Sequence, residues 1–139
     1  PNDEQRGPRF PDMSTAYDHS LRALARKVVP RVQAAFPNES FRVQEGVYAG
    51  VSGPNYCTPA ELIMIARLGA DAIGMSTVPE VIAARHAGLK VLGISCITDM
   101  AVGEELEVLT HEQVVAVAER TKPMFKRFVR FWLEELEVD

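Results

Sequence analysis

The stretch from Gly74 to Asp99 constrains the fold of this chain more than any other. It reads Gly74-Met75-Ser76-Thr77-Val78-Pro79-Glu80, continues with a helical pattern, and closes on Val91-Leu92-Gly93-Ile94-Ser95-Cys96-Ile97-Thr98-Asp99. Two short β-type runs each end in small or polar residues, and a helix opens directly after the first. An α/β protein collects side chains and amides at the carboxyl ends of its strands in this way, so the segment predicts a fold class and a place for a ligand together. Asp99 carries particular weight, because an acid at that position selects between ligands.

The rest of the chain fits an α/β layered domain ordered helix, strand, helix, strand, helix, strand, helix. Leu21, Leu24, Ala25, Val28, Val29, Val32, Ala35 and Phe36 recur at three- and four-residue steps and predict an amphipathic helix from a cap at Ser14 to about Phe36. Pro30 is expected to kink or shorten it. The valine- and tyrosine-rich run from Phe41 to Ser52 predicts one strand or two short ones. Thr58-Pro59-Ala60-Glu61 is a capping box with proline at the first helical position, and its helix is expected to stop at Gly69. Ala70 to Met75 predicts a short buried strand. Thr77-Val78-Pro79-Glu80 has the form of a second box, opening a helix to about Gly88. Lys90 to Ile97, a continuous apolar run, predicts a strand covered on both faces. After an acidic connection over 100–109, a third box at Thr110-His111-Glu112-Gln113 starts a helix with the stripe Val114, Val117, Ala118, Phe125, Phe128, Val129, Trp132 and Leu136. Pro123 is a candidate interruption. No internal repeat, low-complexity segment or linker is visible.

Composition narrows the function classes. The net charge of −4 leaves no electrostatic footprint for nucleic acid or an anionic membrane surface. No apolar run reaches the roughly 18 residues of a membrane span, and no secretion signal is recognisable, so a cytoplasmic location is expected. Cys57 and Cys96 form neither a disulfide framework nor a metal spacing and are expected to be reduced thiols. The polar, proline-rich opening through Pro11 reads as a loop inside something larger, and the chain is expected to be the carboxyl-terminal part of a longer polypeptide.

Several residues can carry chemistry, and each has a plainer alternative. Ser76 and Thr77 stand where a strand hands over to a helix amino terminus, where free N–H groups, the helix dipole and two hydroxyls favour a phosphate or carboxylate. The alternative makes Thr77 an N-cap and Ser76 a turn residue. Asp99 either meets a ligand or caps a loop, since a lone buried carboxylate is expensive. His111 points into a site or into water. His86 suits the carboxyl end of its helix, and His19 a surface face. Met75 and Tyr56 serve equally as core residues. Cys57 lies beside a helix start, which lowers a thiol pKa, but lacks a basic partner. Glu61 and Glu80 are explained by capping.

Most of the chain resembles the carboxyl-terminal half of a trimeric-type purine nucleoside phosphorylase. The resemblance is carried by Pro1-Asn2-Asp3-Glu4, Arg9-Phe10-Pro11-Asp12-Met13-Ser14, Ala16-Tyr17-Asp18, Gly46-Val47-Tyr48, Ser52-Gly53-Pro54 and Thr58-Pro59-Ala60-Glu61, and above all by Leu68-Gly69-Ala70-Asp71-Ala72-Ile73-Gly74-Met75-Ser76-Thr77-Val78-Pro79-Glu80-Val81. It implies a three-layer phosphorylase-type α/β fold, with a mixed central sheet flanked by helices, of which residues 1–139 are the carboxyl-terminal part. It also implies a pentosyltransferase of purine salvage that cleaves purine nucleosides with phosphate to free base and pentose 1-phosphate. Such an enzyme is a homotrimer and takes no metal or other cofactor, phosphate being a co-substrate. By position, Ser76 joins the phosphate site, Met75 packs on the ribose, Tyr56 lies against the base, and Thr98 with Asp99 closes the base pocket. His111 bonds the ribose 5′-hydroxyl. The family's glycine-rich phosphate loop, and the arginine and histidine that complete the phosphate site, belong to the amino-terminal half, so these residues alone are expected to be inactive.

Two departures from the family pattern bear on the substrate. Cys57 stands where the usual glutamate pairs with N1–H of a 6-oxopurine, and Asp99 where asparagine is usual. A 6-oxopurine offers N1–H and O6; adenine offers an acceptor at N1 and a donor at its amino group. An ionised aspartate repels O6 and accepts from the amino group. A protonated Asp99, its pKa raised by desolvation, can also donate to N7 as charge moves onto the leaving base. The resemblance with these departures implies a phosphorylase of 6-aminopurine nucleosides. The alternatives are cleavage of methylthioadenosine, whose enzymes also carry this aspartate but tend to be apolar where His111 falls, cleavage of inosine and guanosine, and a non-catalytic nucleoside-binding module.

Overall fold

A computed structural model describes residues 3–101 and 110–136. Its helices are α1 (His19–Ala35), α2 (Pro59–Arg67), α3 (Val78–His86) and α4 (His111–Glu135), with two strands, β1 (Tyr48–Gly50) and β2 (Ala72–Gly74). The acidic connection over 100–109 lies almost wholly outside the described residues. None of the described helices is long and apolar enough to cross a membrane.

Local signals explain most helix starts. Thr58 accepts from the Glu61 N–H at 3.3 Å while the Glu61 carboxylate accepts from the Thr58 N–H at 2.7 Å. Thr110 and Gln113 repeat the reciprocal arrangement at α4. At α1 the cap is Asp18, not Ser14: its carboxylate accepts from the N–H groups of Ser20 and Leu21 at 2.8 and 3.0 Å. The Ser20 hydroxyl and the Leu21 N–H together hold the Asp18 carboxyl below the usual range. Ser14 is instead drawn into a turn by Asp12, whose carboxylate takes its N–H and its hydroxyl.

Neither proline breaks its helix. Pro30 and Pro123 lie inside α1 and α4, on exposed positions. The residues one turn back, Arg26 and Glu119, are exposed too. A carbonyl deprived of its N–H donor there can turn to water, which limits the penalty.

The core lies between α1 and α4. Ala25, Val28 and Val32 meet Met124 and Phe128, and Val28, Val32 and Phe128 are essentially closed to solvent. Phe41 was expected in a strand but packs as a ring on Phe128, with centroids 5.9 Å apart. Its carbonyl accepts from the Gln33 side chain. Trp132 donates its indole N–H to the Leu21 carbonyl at 3.2 Å, pinning the two helices in register.

β1 and β2 pair in parallel, Tyr48 opposite Ala72 and Gly50 opposite Gly74, with α2 as the crossover. The predicted strand runs over 41–52 and 70–75 thus contract to three residues each, half-buried rather than buried. The Lys90–Ile97 run forms no ladder among the described residues. Leu92 and Ile94 rest against the α1–α4 core while Gly93 and Ser95 are exposed, so the run is covered on one face, not both. Its apolar sequence promised burial, but two-sided cover needs neighbours that the described elements do not supply. Its tie to the rest is the Val91 carbonyl, which accepts from the Asp18 N–H at 2.9 Å.

Candidate active site

The carboxyl ends of β1 and β2 lie side by side, and the loops leaving them form the site. From β2 the chain runs through Met75 and Ser76 into Thr77, whose backbone takes φ 71° and ψ −55°. The Val78 N–H donates to the Ser76 carbonyl at 2.7 Å. Together these define a γ-turn of the rare positive-φ form. For a β-branched residue this is a true outlier, and such strain costs on the order of 1–3 kcal/mol.

The turn overturns the second capping box. Thr77 makes no side-chain cap hydrogen bond. It also limits the helix amino terminus as an anion site. The Val78 N–H is used within the turn, Pro79 has none, and the Val81 N–H is taken by the Thr77 carbonyl. The Ser76 and Thr77 hydroxyl oxygens stand 3.2 Å apart.

Packing holds the turn in place. A Cβ on Gly50 would come within 2.7 Å of a Val78 methyl, so β1 must carry glycine for α3 to start where it does. Glycine at 77 is expected to leave folding stability unchanged or higher by about 1 kcal/mol, relief of the φ penalty outweighing the added chain entropy. Urea denaturation measures this, and a loss above about 1 kcal/mol would mean that the Thr77 side chain contributes more than its backbone costs.

The loop after β1 supplies the facing wall. Its first link to β2 is the Val51 N–H, which donates to the Gly74 carbonyl at 2.9 Å. Gly53, at φ 66°, lies against the Met75 sulfur. A cavity of about 270 Å³ opens beside it, lined by Ser52, Gly53, Asn55 and Cys57 and floored by Met64 and Ile65 of α2. Ser76, Thr77, Met75 and Cys57 are thus carried on adjoining strand ends and loops.

Tyr56 is 55% exposed and Met75 43% exposed. Asp99 is exposed, Thr98 half-buried, and His111 exposed on the first turn of α4. No hydrogen bond among the described residues joins Thr98, Asp99 or His111 to the Ser76 turn.

Sequence reasoning passed over Tyr48, taken only as a strand residue. Its hydroxyl reaches the end of the neighbouring strand, 3.5 Å from the Ser76 Oγ. No local signal in the sequence marks this contact, since Tyr48 pairs with Ala72 and its side chain reaches two residues further along β2 to Gly74. Asp71 was also missed: its carboxylate accepts from the Val47 N–H at 2.8 Å and secures the start of the strand pair.

The chain is similar to known proteins in sequence and in fold. The sequence profile of the Phosphorylase superfamily matches residues 1–133. Purine nucleoside phosphorylase 1 of Geobacillus stearothermophilus is 53% identical over 130 residues, which cover 94% of this chain and 45% of that protein. Purine nucleoside phosphorylase of Mus musculus is 44% identical over 138 residues, covering 98% and 46%. Among solved structures, Schistosoma mansoni purine nucleoside phosphorylase in complex with adenosine superposes with a TM-score of 0.87 at 38% identity, over all of this chain and 49% of that one. The same relative has been solved with inosine and with guanosine. The chain spans about half the length of the curated relatives it matches.

Proposed function

Because the chain belongs to the phosphorylase superfamily, we propose that the protein carrying it cleaves purine nucleosides with phosphate, giving free base and pentose 1-phosphate. The single observation that carries this reading is the Ser76–Thr77 turn. It is a strained, hydroxyl-bearing corner at the end of a parallel strand, within the longest run of residues that resembles the family. Strain of this kind persists where function uses the geometry.

In the reaction, phosphate bonds to the anomeric carbon as the bond to the base nitrogen breaks, and the base leaves carrying a proton. Ser76 holds phosphate through its hydroxyl. Met75, exposed beside Gly53, lies under the ribose. Tyr56 packs on the base, Cys57 borders its pocket, and Thr98 and Asp99 close the far end. Asp99 accepts from the amino group of a 6-aminopurine and protonates N7, lowering the barrier by stabilising the leaving base. No metal or cofactor is assigned a part. The working enzyme is a cytoplasmic homotrimer whose remaining phosphate contacts come from sequence outside this chain.

Phosphate-dependent release of base from a purine nucleoside tests the reading. Cleavage that is absent, or that proceeds equally without phosphate, would overturn it in favour of a nucleoside-binding module or a hydrolase. His111 separates the enzyme alternatives. His111→Val is expected to lower kcat/KM for adenosine by about tenfold, the value of one hydrogen bond to the 5′-hydroxyl, and to spare methylthioadenosine. Equal losses on both substrates would assign the histidine another role.

A further inference from the structure

We propose that Tyr48 is a positioning residue that aims the Ser76 hydroxyl at phosphate; the inference rests on the phosphorylase reading above. Tyr48 opens β1, and its side chain crosses onto the end of β2. A Cβ built on Gly74 would collide with the Tyr48 hydroxyl and stand 2.9 Å from its Cζ. Glycine at 74 is therefore what lets the phenol lie along the strand end. There its oxygen stands 3.5 Å from Ser76 Oγ, which in turn stands 3.2 Å from Thr77 Oγ1. Three hydroxyls, one from β1 and two from the turn that follows β2, thus stand in succession at the strained turn.

The chemistry gives that succession a direction. A serine hydroxyl is a rotor with one proton to donate and two lone pairs. Phosphate oxygens only accept strongly, so the site works when the Ser76 proton points outward. A tyrosine O–H that donates to Ser76 Oγ occupies one lone pair and leaves the serine proton for the anion. At 3.5 Å the two oxygens stand beyond the ordinary O–H···O range of about 2.5–3.0 Å, and the proposed bond forms when they close to about 2.8 Å as phosphate arrives. Without the phenol hydroxyl, Ser76 is free to turn its proton toward Thr77 instead.

Tyr48→Phe keeps the ring against Gly74 and removes only this donor. It is expected to raise KM for phosphate about five- to tenfold, the worth of one ordinary hydrogen bond. The nucleoside KM, and kcat at saturating phosphate, stay within about twofold. In a Ser76→Ala background the same change has no effect on the phosphate KM, because no hydroxyl is left to orient. A silent Tyr48→Phe, or an equal rise in both backgrounds, overturns the role. Should Tyr48→Phe fail to fold, fluorotyrosine at position 48 preserves the ring and makes the hydroxyl a stronger donor. The phosphate KM then falls when Ser76 is present and stays unchanged in Ser76→Ala, and an unchanged phosphate KM in both backgrounds overturns the proposal. A protein with no phosphate-dependent cleavage overturns the proposed function itself. An active protein in which Tyr48→Phe is silent overturns Tyr48 alone.

Discussion

Asparagine in place of Asp99 is expected to move the kcat/KM ratio of adenosine to inosine by about a hundredfold toward inosine, the effect of trading one matched buried hydrogen-bond pattern for its mismatch. Two contributions act in the same direction. The amide offers an N–H to O6 of hypoxanthine, where a carboxylate offers only repulsion. It also loses the proton that Asp99 would give to N7 of a departing adenine. Asp99 is exposed in this chain, so enclosure of its carboxyl has to come from the bound base and the walls that close over it. The variant is best read through kcat and KM separately. Loss of N7 protonation lowers kcat for adenosine, whereas the changed pairing at the 6-position also alters KM. An unchanged substrate ratio would remove Asp99 from the account of specificity and leave the family assignment intact.

The largest effect on stability is expected at Phe128. It is 1% exposed and fills the seam where α1, α4 and the Phe41 ring meet. Phe128→Ala removes the ring and leaves a void that Val28, Val32 and Met124 cannot all close at once. The expected loss is about 3–5 kcal/mol, a large part of the stability of an ordinary domain. Val115→Ala, on the exposed side of the same helix, is the matched control and should stay within about 0.5 kcal/mol. Denaturant midpoints of the two variants measure the difference. A loss below about 1 kcal/mol at Phe128 would mean that the α1–α4 seam is not where the stability of this half resides.

The contrast between the three capping boxes explains how much was legible beforehand. At Thr58–Glu61 and Thr110–Gln113 the whole interaction is made by residues three apart, so the letters suffice. At Thr77–Glu80 the letters have the same form, but Val78 must seat against Gly50 of another strand, and that contact belongs to the turn. Threonine does not announce positive φ, so the γ-turn has no signature in the sequence. The amphipathic stripes placed α1 and α4 correctly, since their many apolar positions agree on one face of each helix, and exposed prolines were too weak to override them. The start of α1 was misplaced by four residues because Ser14 and Asp18 are both good caps, and only the turn made by Asp12 decides between them.

Strands were the weaker part for a related reason. The Lys90–Ile97 run has the composition of a central strand, yet a strand is completed by its neighbours, and the described elements give it cover on one side only. The site shows the same division. Ser76, Asp99 and His111 could be singled out from their places at strand ends and a helix start, whereas the roles of Met75, Tyr56, Cys57 and Thr98 came from the resemblance, and the convergence of all of them on one substrate is part of the proposal. Tyr48 was invisible because its partner, Ser76, is reached across the sheet and not along the chain.

Release of base from adenosine, inosine and methylthioadenosine, measured side by side with and without phosphate on the full-length protein, tests most directly what this site cleaves. The prediction is strictly phosphate-dependent cleavage with adenosine as the best substrate. Inosine as the best substrate would contradict the roles given to Asp99 and Cys57, and cleavage indifferent to phosphate would contradict the role given to Ser76.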